Sequence, residues 1–164
     1  VAVEFHTLSK SYSLPGLRLG FGVGNPDILA SLAKTKSYID FGIFRAVQWA
    51  AIQTLTGPQE YVHQAVATYQ RRRNVFVQGL RRIGWEAPLP KATFYVWAKI
   101  PLKFSALTSL EFATLLVQEA GVVVAPGSGF GEYGEGFVRF ALVEPEARLN
   151  EAIRRIARVL QMED

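Results

Sequence analysis

The chain has 164 residues, 49% of them hydrophobic and 20% charged, a balance that describes a globular protein able to bury a core, sized for one domain or parts of two. It holds no cysteine and only two histidines, far apart, which excludes disulfides and thiolate metal sites and argues against a histidine metal centre. The 18 basic and 14 acidic residues leave a formal charge of +4, and charges or glycines interrupt every apolar run, so no membrane-spanning helix is expected.

Residues 1–9 read as a buried strand that delivers Lys10 at its C-terminal end, and loops after strands are where α/β sheets usually place their chemistry. Val1-Ala-Val3-Glu-Phe5 has no initiator methionine and no signal peptide and reads as mid-strand, so a fragment of a longer, cytoplasmic protein is expected. A second strand is expected from Leu17 to Val23. Asn25-Pro26-Asp27 then starts a helix to about Ser37: a capping side chain, proline at the first position, and an acid favoured by the helix dipole. Ile43 to Leu55 forms another helix, bounded by Gly42 and Thr56-Gly57-Pro58.

The longest helix is expected from Gln59 to Ile83, with Val62, Val66, Tyr69, Phe76, Leu80 and Ile83 on one stripe and Gly84 as its stop. Its Arg71-Arg72-Arg73 triplet, like Arg81-Arg82 and Arg154-Arg155, reads as a solvated helix face in preference to a nucleic-acid footprint. After a proline-bearing turn follow a strand (Thr93–Ala98), a helix (Leu110–Ala120), a strand (Val122–Ala125), a glycine-rich loop, a strand (Phe137–Leu142) and a final helix (Glu146–Gln161). Thr108 and Glu111 have capping-box spacing, Gly121 ends that helix, and Leu149, Ile153, Ile156 and Leu160 give the last helix its buried face.

The run from His6 to Phe21 carries most of the chemical information. Lys10 follows an apolar segment, Thr7, Ser9, Ser11 and Ser13 surround it with hydroxyls, and Arg18 stands eight residues on. A crowded lysine loses part of its preference for the charged form, which suits an amine that condenses with an aldehyde. The hydroxyls and the guanidinium suit a phosphate on the same molecule. An aldehyde that also carries a phosphate is pyridoxal phosphate.

Ser9-Lys10, a gap, and then Gly16-Leu-Arg18-Leu-Gly20-Phe21 resembles the lysine signature of the class I and II aminotransferases, the fold-type-I pyridoxal phosphate enzymes. Gly24-Asn25-Pro26, Lys91-Ala-Thr-Phe-Tyr-Val-Trp97, Val124-Ala-Pro-Gly127-Ser-Gly-Phe-Gly131 and Val138-Arg139-Phe140 follow in family order. The resemblance covers essentially the whole chain and looks closest to the LL-diaminopimelate and aspartate aminotransferase subgroup. It implies an α/β fold, here the C-terminal fragment of a pyridoxal-phosphate-dependent transferase. Residues 1–57 would be a remnant of the large domain, and residues 58–164 the connecting helix with a small α+β domain. Lys10 would hold the cofactor covalently, be displaced by the substrate amine, and then carry a proton between substrate and cofactor. Thr7, Ser9 and Arg18 would bind the phosphate, and Arg139 the substrate α-carboxylate. Arg139 alternates with Val138, Phe140 and Leu142 along its strand and so faces away from their apolar layer.

Two departures keep the chemistry intact: Thr7 replaces a serine common in the family, and Leu17 a tryptophan. The family's upstream groups that tune the cofactor ring precede the lysine and are not in these residues, so the isolated chain is expected to be inactive. The full-length form is expected to be a homodimer acting on an amino acid and a 2-oxo acid. The alternative is a split-gene, non-enzymatic module that works by association with a partner chain. Three features read as decoys. Gly129-Phe-Gly131-Glu-Tyr-Gly134 matches a dinucleotide pattern but precedes a strand, so it reads as a loop. His6 and His63 lack ligand spacing, and Arg45 reads as a plain helix residue.

Overall fold

In the computed structural model, which describes residues 1–161, the strand β1 (Val3–Thr7) pairs antiparallel with β2 (Gly20–Gly24), setting His6 opposite Phe21 and Thr7 opposite Gly20. The expected second strand starts three residues late. Pro15–Leu17 forms a 3-10 turn, and Arg18 then takes a left-handed conformation at φ 51°, which delays extension until Gly20. The expected burial of the first strand does not hold. Val3 is half-buried and the rest of β1 is exposed, because a two-stranded ribbon supplies no layer to cover its faces.

Helix α1 (Pro26–Ile39) starts as its sequence dictates. The Asn25 side chain accepts hydrogen bonds from the amides of Asp27 and Ile28, both at 3.1 Å, with proline in the first turn. Its last turn pairs Lys36 with Asp40, and the ammonium together with the Gly42 amide holds the Asp40 carboxyl below its usual range. Helices α2 (Arg45–Thr56) and α3 (Glu60–Arg82) follow.

The chain divides into two compact units, the first running Val1–Val66 and the second beginning at Ala67, so the division falls within α3. The second unit holds an antiparallel sheet in the order β3 (Tyr95–Lys99), β5 (Phe137–Ala141), β4 (Ala125–Pro126). Val122–Val124 stays outside the ladder, so β4 is shorter than its apolar run suggests. Helix α4 (Ser109–Leu115) continues as a wider π-helical turn (Leu116–Ala120) and stops at Gly121, whose φ of 61° favours glycine. Thr108 and Glu111 form the expected capping box, and the Thr108 amide and hydroxyl hold the Glu111 carboxyl below its usual range.

Period-two alternation sorts the sheet's two faces. Val96, Ala98, Val138 and Phe140 point into a core shared with Phe76 and Leu80 of α3, Phe112 of α4, and Ile153 and Ile156 of α5 (Glu146–Leu160). Trp85 lies at its centre, edge-on to Phe112 and Phe140, and its indole N–H donates to the Lys99 carbonyl at 2.8 Å. Gly79 is where α3 passes α5: an added Cβ would lie 2.2 Å from Ile153 Cδ1. The apolar stripe of α3 is buried at Phe76 and Leu80 but runs out into solvent at Val66.

The arginine clusters are not simply a solvated face. Arg72 donates to the carbonyls of Leu142 and Val143 at 3.2 and 2.8 Å, Arg73 to Pro90 at 2.9 Å, and Arg81 to Ala87 at 3.0 Å. Each guanidinium ties a helix to a chain segment whose carbonyls have no strand partner.

Candidate functional site

Leu8 anchors the turn that follows β1. Its side chain is fully buried, its amide donates to the Leu19 carbonyl at 3.4 Å, and its carbonyl accepts from the Leu14 amide at 3.2 Å. Thr7 and Ser9 flank it and carry their hydroxyls together: Thr7 Oγ1 lies 2.9 Å from Ser9 Oγ and accepts from the Ser9 amide at 3.2 Å. Thr7 Oγ1 also donates to the Leu19 carbonyl at 3.3 Å, which joins the end of β1 to the segment carrying Arg18. Lys10 follows directly, exposed, with its carbonyl taking the Ser13 amide at 3.1 Å.

Arg18 is exposed, and its left-handed backbone sets it at the close of the 3-10 turn with Nη1 donating to the Pro15 carbonyl at 3.1 Å. That uses one of the five guanidinium N–H donors. Gly20 closes the cradle tightly, because a Cβ there would meet the His6 carbonyl oxygen at 2.8 Å. Between Glu4 and Asp27 the chain contains no carboxylate. The turn therefore offers an amine, a guanidinium and hydroxyls with no acid of its own to compete. That donor set suits a phosphorylated aldehyde: Thr7 and Ser9 meet through their hydroxyls, and Lys10 and Arg18 follow on the same acid-free segment.

Arg139 belongs to the second unit. It lies opposite Trp97 of β3 and Ala125 of β4, on the sheet face away from the buried Val138 and Phe140, as its alternation requires. Its guanidinium carbon sits 4.2 Å from the centroid of the Tyr95 ring and 4.4 Å from that of Phe130, and its Nε is buried without a hydrogen-bond partner. Phe130 meets Trp97 edge-on at 5.5 Å, and Trp97 stacks on Phe137 at 5.7 Å. A planar cation beside aromatic faces, with an orphaned donor, is suited to an anionic, planar acceptor.

The loop that brings Phe130 to Arg139 is held from below. Ser109, fully buried at the start of α4, donates its hydroxyl to Glu135 Oε2 at 3.0 Å and accepts from the Ser128 amide at 3.1 Å. The Gly136 and Ser109 amides both donate to Glu135, which holds its carboxyl below the usual range. Gly127 and Gly134 touch backbone to backbone: a Cβ on either would lie 1.9 to 2.0 Å from the other's carbonyl oxygen. The dinucleotide-like glycines 129, 131 and 134 thus lie in a loop of two 3-10 turns, as read from the sequence, with Gly134 making its close backbone contact. Tyr95, Phe130, Ser109 and Glu135 were not singled out by sequence reasoning. Period-two alternation in Tyr95-Val-Trp97 against Phe137-Val-Arg139 carried the signal for Tyr95; nothing in the sequence marked Ser109 or Glu135.

His6 stacks on Phe21 at 5.2 Å beside Glu4. Arg45 is the exposed first residue of α2.

A family model described as "Aminotransferase class I and II" matches residues 2–156. The glutamate-pyruvate aminotransferase AlaC of Escherichia coli is 53% identical over 95% of this chain and 38% of its own length. An LL-diaminopimelate aminotransferase of Halothermothrix orenii is 45% identical over 95% of this chain and 39% of its own. Among solved structures, an aminotransferase from Staphylococcus aureus superposes with a TM-score of 0.91 at 34% identity, covering 100% of this chain and 43% of that one. Substrate-bound BacF from Bacillus subtilis gives 0.89 at 34% identity, over 98% and 40%. The chain thus spans about two fifths of the length of the relatives it matches.

Proposed function

The chain belongs to the class I and II aminotransferases, and from that premise we propose that it is the C-terminal portion of an enzyme that moves an amino group between an amino acid and a 2-oxo acid. Residues 1–57 would close the large cofactor-binding domain and residues 58–164 would supply the connecting helix and small domain of a cytoplasmic homodimer. The observation that supports the reading is the hydrogen-bonded Thr7–Ser9 hydroxyl pair on an acid-free segment that in sequence also carries Lys10 and Arg18.

Pyridoxal phosphate, when bound, supplies the electron sink that makes the substrate's α-carbon acidic. The protein's residues place and neutralise. Thr7 would turn its hydroxyl hydrogen from Ser9 and Leu19 toward a phosphate oxygen, Ser9 would donate its own beside it, and Arg18 would add a charge-assisted pair. Lys10 Nζ would hold the cofactor covalently and, when free as an amine, would accept and return a proton at the substrate α-carbon. Arg139 receives the α-carboxylate on the rim of a guanidinium whose faces already meet aromatic rings, which fixes the substrate's orientation. The family's groups that tune the cofactor ring precede the lysine, so this portion by itself would anchor the cofactor without turning over.

Incubating the chain with pyridoxal phosphate, reducing with borohydride and mapping the adduct by peptide mass spectrometry tests this. A single adduct at Lys10, lost in Lys10→Ala, supports the reading. Labelling spread evenly over the lysines would overturn the preformed anchor. The alternative, a non-enzymatic module acting through a partner, draws on one observation: Tyr38, Phe41, Phe44 and Trp49 expose their rings in the first unit. It predicts the same scattered labelling.

A further inference from the structure

Arg139 lies against two aromatic rings that belong to separate parts of the chain, and only one of them sits on the sheet. Tyr95 is a neighbour on β3, two residues from Trp97, which lies opposite Arg139. Phe130 comes from the Gly127–Phe130 turn, and more than half of its surface, 52%, is open to solvent. An apolar side chain that exposed gains little from burial, so its place over a guanidinium needs a cause. The loop supplies one. The Gly127–Gly134 backbone contact closes its neck, Ser109 and Glu135 tie both its ends to the start of α4, and Trp97 meets Phe130 edge-on.

We infer that Phe130 is a positioning residue, held by the Ser109–Glu135 tie, that fixes the Arg139 guanidinium against Tyr95 so that only its rim is presented to a ligand. The inference rests on the reading of Arg139 as the carboxylate site and extends it to what orients that arginine. An arginine side chain left to itself samples many rotamers and loses that freedom when it binds. With Tyr95 at 4.2 Å and Phe130 at 4.4 Å the loss is met in folding, before ligand arrives. The rings also exclude water from Nε, which strengthens a charge-assisted bond made at the adjoining Nη groups. The ligand favoured is a carboxylate approaching in the guanidinium plane, because two aromatic rings stand 4.2 and 4.4 Å from its central carbon and leave the rim as the open approach.

The test uses the 164-residue chain labelled with 15N and follows the Nε–Hε resonance of Arg139, identified by its loss in Arg139→Lys. In the unchanged chain that resonance is expected to be ring-current shifted and rigid by heteronuclear NOE, and to move on titration with propionate against chloride of equal ionic strength. Phe130→Leu should relax the resonance toward that of an exposed arginine and weaken propionate about tenfold, while Phe130→Tyr restores both. Glu135→Gln should mobilise the resonance without touching either ring. Because Phe130 is half-exposed, its replacement leaves the core intact, and an unchanged amide spectrum for β3 and α5 verifies this. If Phe130→Leu leaves rigidity and affinity unchanged, the positioning role is overturned while the carboxylate reading stands. If the unchanged chain shows a rigid Arg139 that propionate does not move, the carboxylate reading is overturned, and the selectivity inferred here with it.

Discussion

Glu151 shows how a helix surface charge becomes a pH-dependent feature of this protein. It lies one turn before Arg154 and Arg155, accepts from Arg155 Nε at 2.8 Å, and pairs with Arg154 as well. Arg155 first, then Arg154, lowers its carboxyl from the ordinary 4.5 to about 2. The group is depressed in the folded state, so its stabilisation is complete above about pH 4.5 and fades as pH falls toward 2. Both partners are solvent-accessible, so the effect is small and salt-sensitive. Glu151→Gln should therefore be less stable than the parent in urea at pH 6 and low salt, with the gap closing between pH 4.5 and 2. A gap that is the same at pH 6 and pH 2 would remove the ion pair from the explanation. Lys10 and Arg18 stand out in the sequence because they join charge to a run of hydroxyls with no acid nearby, and the proposed phosphate site rests on that pattern. Phe130 and Glu135 were not, because their partners are 9 and 26 positions away and only the folded loop introduces them.

Helix boundaries were read well where a side chain sets them. Asn25, Thr108 and Gly121 each act through a local bond or a local φ, so three or four letters suffice. Burial was read less well, since Val1-Ala-Val3 has the composition of an inner strand but inner position depends on strands that lie elsewhere. Glycine is the residue type for which the sequence says least, and two positions separate the cases. At Gly79 an added methyl meets the tip of the Ile153 side chain at 2.2 Å, which can rotate at some cost. Overpacking at about 1–3 kcal/mol, less a helix-propensity gain of about 1 kcal/mol, predicts a net loss near 1 kcal/mol for Gly79→Ala. Ile153→Val removes the clashing methyl, so the double variant should be more stable than the two single losses sum to. At Gly134 the obstacle is the Gly127 carbonyl oxygen at 2.0 Å, and backbone cannot rotate aside. Gly134→Ala should cost about 2–3 kcal/mol, the upper part of the overpacking range, and should loosen Arg139 as Phe130→Leu does. Urea unfolding of the variants, read by Trp85 fluorescence in the core, measures both. Equal losses at the two glycines would mean that the loop neck yields as easily as a side chain.

The two units differ in how much holds them. In the first, the buried hydrophobic side chains are Leu8 and Ala51; every other member of the core among the described residues lies beyond Val66. Phe41 is 92% exposed, and Tyr38, Phe44 and Trp49 are exposed around it. Ordering a residue costs about 1–2 kcal/mol in backbone entropy, which two buried side chains cannot offset over a unit of this length. The second unit encloses Trp85, Phe76, Phe112 and Phe140 with two aliphatic helix faces, the kind of core that does offset it. Hydrogen exchange should therefore divide the molecule. Amides of β3, β5 and α5 are expected to exchange orders of magnitude more slowly than those of β1, α1 and α2, even though both groups are hydrogen-bonded in regular elements. The lysine turn lies in the weakly held unit, while Arg139 lies in the strong one. If β1 and α2 instead prove as protected as β5, an apolar surface must be covering Phe41 and Trp49 in solution, and self-association measured at the same concentration would identify another copy of the chain as its source.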